Sequence, residues 1–217
     1  MSIKSSLIIF LFASLVFFSC KKKDTSAPII TLKGEATVLV QLNGTYTDLG
    51  AEAFDEHDGT LAVTTKDSVD VNFAGTYYVI YTAIDAIGNQ TDATRTVIVR
   101  NDADQYAGNY SGKTVLGINT SYFQSTLATS TTLNNRIWYV GYATANNAVV
   151  YADIRHDTVN VPKQSVDTGS PVQTHFYSGL GSVKIISDTL VFEINYTDSI
   201  PPGTVSSGIT TYKKLNL

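Results

Sequence analysis

Downstream of residue 27 no segment repeats apolar residues at i, i+3, i+4 and i+7 over three turns, so no substantial helix is predicted. Apolar and polar residues alternate instead. Tyr77, Val79, Tyr81 and Ala83 share one face of an extended segment, and so do Leu190, Phe192 and Ile194. Residues that tolerate turns punctuate these runs, among them Gly34, Asn43-Gly44, Asp85-Ala86-Ile87-Gly88-Asn89, Asn134-Asn135 and Ser187-Asp188. The 13 Tyr and 9 Phe add sheet-favouring bulk. The fold class is all-β.

The N-terminus reads as an address. Lys4 precedes an apolar run, Leu7 to Phe18, broken only by Ser14. Twelve helical residues rise about 18 Å, well short of the roughly 30 Å hydrocarbon core of a bilayer. That length suits a secretory signal, residues 1–19, rather than a spanning helix. Cys20, the only cysteine, follows at once. A lone exported thiol invites oxidation unless it is modified, and lipid attachment is such a modification.

Composition removes several function classes. A net charge of −4 offers no basic face for nucleic acid. One Cys allows no internal disulfide, and with three scattered His it excludes the usual Cys/His zinc frameworks. Charge also divides the chain: residues 24–104 carry a formal −9 and residues 105–217 a formal +1. The expected organisation is a signal peptide at 1–19, a stem at 20–27, a first module at 28–100, a polar linker at 101–105 and a second module at 106–217.

The first module reads as about seven short strands, which suits an immunoglobulin-like sandwich. The second reads as eight strands, Tyr110–Leu116, Ser121–Ala128, Arg136–Thr144, Ala148–Ile154, Gln173–Tyr177, Ser182–Ile186, Thr189–Tyr196 and Ile209–Leu215. Such an order suits an antiparallel β-barrel or sandwich. Gly179-Leu180-Gly181 is read as a hairpin turn.

Three resemblances attach to these residues. Val16-Phe17-Phe18-Ser19-Cys20 resembles a bacterial lipobox, with Phe17 departing from the common aliphatic residue. Gly44-Thr45-Tyr46-Thr47-Asp48-Leu49-Gly50-Ala51, Asp58-Gly59, Gly75-Thr76-Tyr77 and Asp85-Ala86-Ile87-Gly88-Asn89 resemble the bacterial immunoglobulin-like domain first described in a pesticidal crystal protein. That resemblance implies an extracellular spacer or adhesion module. Tyr106-Ala107-Gly108-Asn109-Tyr110-Ser111-Gly112 resembles the first strand of small lipocalin-like barrels. The whole arrangement is similar to envelope lipoproteins of the Bacteroidota.

Readable chemistry is sparse. The chain has no Gly-x-Ser-x-Gly elbow, no His-Glu-x-x-His and no complete phosphate-binding loop, so no catalytic residue and no cofactor are expected. His156, near Asp153 and Asp157, reads as a solvated turn, and His175 as a sheet-surface residue. Asp55, Glu56 and Asp58, with Asp48 or Asp85, form one carboxylate-rich group. Calcium would want six to eight oxygens, and a solvated acidic loop is the simpler expectation, so no metal ligand is assigned. Trp138 and Tyr142, placed on one strand face with Val140, are the candidate ligand-binding pair, because aromatic faces stack on sugar rings; core packing is their alternative.

The sequence thus supports a non-enzymatic envelope protein, anchored to the outer membrane through Cys20, whose immunoglobulin-like spacer presents a C-terminal domain to a glycan or an envelope protein. A purely structural or adhesive protein and a C-terminal hydrolase are the alternatives. The sequence leaves the periplasmic or surface side open.

Overall fold

The computed structural model describes residues 24–143, 145–169 and 171–215; Cys20 and the signal segment lie outside them. Apart from one 3-10 turn, the regular elements of the described residues are all strands, as their patterning requires. Strands β1 (Ile29–Leu32), β3 (Ala51–Asp55) and β4 (Gly59–Leu61) form one sheet in the order β1-β3-β4. Strands β2 (Thr37–Gln41), β5 (Thr64–Asp67), β6 (Gly75–Ile84) and β7 (Gln90–Arg100) form a second in the order β2-β7-β6-β5, with β2 parallel to β7. Val40, Leu42, Val79, Tyr81, Val97 and Val99 make the core of this unit, with Ile30, Leu32 and Ala51 packed against it. The β6–β7 turn is held by Asp85, whose carboxylate accepts from Ile87 N, Asn89 N and the Asn89 side chain, and Gly88 supplies the positive φ of +97°.

One core position is charged. Arg95 lies on the same face of β7 as Val97 and Val99 and is buried. It pairs with Asp48 and donates to Tyr81 Oη at 2.7 Å and to the carbonyls of Glu35, Lys33 and Gly50. Tyr81 donates to the same Asp48 oxygen at 2.5 Å. A buried guanidinium is stable only with such a full set of acceptors. This network ties the segment before β3 to β6 and β7.

The polar run after β7 forms a 3-10 turn, Asp102–Tyr106, rather than a free tether. Asn101 is buried; its amide donates to the carbonyls of Ser130, Leu133 and Arg136, while its oxygen accepts from Ala103 N and Asn135 N. Asn43 donates to Thr132 O at 3.1 Å and accepts from Asn134 N at 2.9 Å, and Ala74 N donates to Thr131 O. The two units are stitched across one loop, residues 130–135.

The C-terminal unit is a closed eight-stranded antiparallel barrel. Its strands are β8 (Gly108–Leu116), β9 (Asn119–Thr129), β10 (Arg136–Tyr142), β11 (Ala145–Arg155), β12 (Thr158–Thr168), β13 (Gln173–Ile186), β14 (Thr189–Ile200) and β15 (Thr204–Lys214), each paired with the next and β15 with β8. The open sandwich alternative is excluded for this unit. The expected strand count of eight is correct for a mixed reason. The alternation does not mark β12, because Pro162 and its polar neighbours obscure it, and it divides β13 into two strands with Gly179-Leu180-Gly181 as a turn. Those glycines instead sit inside one continuous strand. A Cβ on Gly181 would lie 2.2 Å from Glu193 O, and one on Gly179 would lie 2.9 Å from the Tyr142 hydroxyl. Close approach, not reversal, requires them.

Tyrosines fill the barrel. Tyr110, Tyr139, Tyr142, Tyr177 and Tyr212 are fully buried around Phe192, in mostly edge-to-face contacts. Burial pushes the phenols of Tyr139 and Tyr212 well above their ordinary range. The hydroxyls of Tyr139, Tyr142 and Tyr196 have no hydrogen-bond partner among the described residues.

Candidate functional site

Among the described residues, backbone pairing between β11 and β12 covers Asp153–Arg155 against Thr158–Asn160. Beyond it β12 carries Pro162, which has no N–H to donate, and its register against β13 shifts between Val161 and Gln164. The Gln164 side chain takes over the missing ladder: its Oε1 accepts from Tyr151 N at 3.0 Å and its Nε2 donates to Tyr151 O at 2.9 Å. Where the strands part, the outer wall is hollowed into an open groove of about 610 Å³.

Trp138, Val149, Tyr151, Lys163, Gln164, Ser165 and Phe176 line this groove. Trp138 and Tyr151 meet edge to face, with ring centroids 5.4 Å apart. The Arg136 guanidinium lies 4.0 Å above the Tyr151 ring and is held there by two bonds to Asp153, of 2.7 and 3.0 Å. Lys163 Nζ lies 5.3 Å from the Phe176 ring. Three half-buried aromatic side chains and Lys163 thus line the groove beside a side-chain amide. Aromatic faces accept apolar C–H surfaces, and the amide and Lys163 supply hydrogen bonds and countercharge.

The expected Trp138–Tyr142 pair is corrected. A bulge between Val140 and Tyr142, with Gly141 at φ +87°, breaks the alternation of β10. Trp138 and Val140 stay outside, whereas Tyr142 turns inward against Tyr139, Tyr177, Tyr196 and Tyr212. Tyr151, which Trp138 does meet, and Phe176, which lines the same groove, come from β11 and β13, and the sequence reading does not find them. Tyr151 is the directly opposite residue of an adjacent strand, a signal that a correct register would have supplied.

The other candidates resolve separately. His175 is not a surface residue: its Nδ1 lies 2.9 Å from the buried Asp198 carboxylate, beside Tyr177. In the acidic group, Asp48 belongs to Arg95, Asp58 accepts from Ala86 N at 2.7 Å and Asp85 holds its own turn. Asp55 is buried rather than solvated.

Residues 30–99 match the family described as bacterial surface protein, Ig-like domain. No curated protein matches the chain. Among solved structures, a lipoprotein from Bacteroides thetaiotaomicron is similar at 16% identity, with 85% of this chain and 98% of that one covered and a TM-score of 0.34. A structure of CBM51-2 in complex with GlcNAc and INT domains, from Clostridium perfringens ZmpB, is similar at 17% identity with a TM-score of 0.28. There 86% of this chain and 44% of that one are covered, so this chain spans less than half of that structure's length.

Proposed function

We propose that this chain is a non-enzymatic envelope protein, held at the outer membrane by lipid on Cys20, in which the Ig-like unit is a spacer and the outer wall of the barrel binds a glycan. The observation that carries the reading is the groove between β11 and β12. It presents Trp138, Tyr151 and Phe176 beside Gln164, outside a barrel whose interior tyrosines already occupy. Sugar rings have apolar C–H faces and peripheral hydroxyls, which match aromatic walls and an amide. Lys163 suits glycans that carry carboxylate or sulfate groups. The match of residues 30–99 to a bacterial surface domain supports an envelope setting.

A glycan array probed with the full chain in detergent tests the reading. Binding that the Trp138→Ala and Phe176→Ala variants lose supports it. Binding retained by both variants, or no binding by the wild type, contradicts it and favours a structural role.

A further inference from the structure

The geometry points to a divalent transition-metal site, for Zn²⁺ or Mn²⁺, formed by Asp24 of the stem with Asp55 and His57 of the Ig-like unit. A carboxylate oxygen of each Asp and a ring nitrogen of His57 lie within 4.8 Å of one another. Asp55 ends β3, and its side chain is 1% exposed. Its Oδ1 is committed, accepting from His57 N at 2.8 Å and Asp58 N at 3.0 Å. Its Oδ2 is buried with no hydrogen-bond partner among the described residues. A buried carboxylate oxygen without a donor is costly, and a second carboxylate close by raises that cost unless a cation stands between them. A metal ion supplies that cation.

The donor set selects the class. Imidazole with carboxylates suits zinc and its neighbours, whereas calcium prefers an all-oxygen shell. His57 Nδ1 and Asp24 Oδ1 stand 3.2 Å apart. Donors at the ~2.0–2.1 Å of tetrahedral zinc are separated by roughly 3.3 Å, so this pair needs little movement. Three protein ligands leave one position for water.

The site also has a location that gives it a consequence. Asp24 lies four residues after Cys20, and the stem is already laid along the unit: Asn89 donates to Ser26 O at 2.9 Å. Binding of the ion clamps the stem onto the Ig-like unit and fixes how that unit leaves its anchor point.

Calorimetric titration of the untagged full chain in detergent, first stripped with a chelator, tests this with Zn²⁺, Mn²⁺ and Ca²⁺ as separate arms. One equivalent of Zn²⁺ or Mn²⁺ is expected to bind at least about tenfold more tightly than Ca²⁺. His57→Ala alters an exposed side chain and is expected to weaken binding at least about tenfold. Asp55→Asn keeps the Oδ1 acceptor and is expected to remove binding while leaving the stripped protein folded. Equal affinity in wild type and His57→Ala, a preference for Ca²⁺, or no binding by the wild type would overturn the site. Should Asp55→Asn not fold, His57→Ala decides alone.

Discussion

Trp138 on β10 and Tyr151 on β11 are directly opposite each other on the outside of the barrel, their rings 5.4 Å apart and edge to face. Neither is close in sequence to Phe176, which completes the groove from β13. The site exists because two strands separate at Pro162 and a glutamine side chain replaces the ladder between them. Its formation therefore depends on Gln164 as much as on the aromatics.

Asp48 makes the Ig-like unit acid-sensitive. Burial alone would raise its carboxyl pKa, but hydrogen bonds from Tyr81 and Tyr46 and the Arg95 charge outweigh that and hold it below its ordinary value. A depressed carboxylate contributes stability that is present above pH ~4 and lost as pH falls through the lowered value. Urea unfolding at pH 7 and pH 3 should show this loss. Asp48→Asn should cost about 3 kcal/mol at pH 7, because it leaves the Arg95 charge buried without its partner. A cost under about 1 kcal/mol would contradict the network.

The barrel should fail at the other end of the scale. Burial raises the phenols of Tyr139, Tyr142 and Tyr212. A raised group contributes stability that is complete below the unfolded value, near 10, and is lost as pH climbs above it. Tyrosinate absorbance should therefore rise together with loss of tertiary signal above about pH 10. Tyr139→Phe removes a hydroxyl that lacks a partner and should leave stability unchanged or higher by up to ~1 kcal/mol. A loss above 2 kcal/mol would show that the hydroxyl has a partner, such as a buried water.

The class of the fold was legible because alternation is local: the face shared by Tyr77, Val79 and Tyr81 needs no knowledge of neighbours. The turn at Asp85–Asn89 was legible for the same reason, since its hydrogen bonds close within five residues. What the sequence hid was non-local. Gly181 reads as a turn residue until Glu193 is placed against it. Tyr142 reads as a partner of Trp138 until the bulge at Gly141 reverses its face. Alternation puts Arg95 on the core face of its strand, and only the distant Asp48 and the carbonyls of Lys33, Glu35 and Gly50 show what accepts its charge there.

Gly181 gives a direct test of that reversal. Gly181→Ala would set a methyl group 2.2 Å from Glu193 O, so β13 and β14 must separate. A cost of about 3 kcal/mol or more is expected in thermal or urea unfolding. A neutral effect would mean that the segment is a turn after all.

Asn101 should hold the joint. Asn101→Ala removes a side chain that serves five backbone groups. Limited proteolysis should then cut within residues 101–107 several times faster than in the wild type. Equal cleavage of the two proteins would show that the joint is open without the substitution.

Trp138 is the only tryptophan, so its emission reports on the groove alone. Titrating the full chain with a glycan selected on the array, and following that emission, reads occupancy of the groove directly. A saturable change is expected in wild type, weakened at least about tenfold by Phe176→Ala or Gln164→Ala. The same titration should be untouched by Tyr142→Phe, whose ring stays inside. Saturation with no change in tryptophan emission, or affinity lost only with Tyr142→Phe, would place the ligand elsewhere than in this groove.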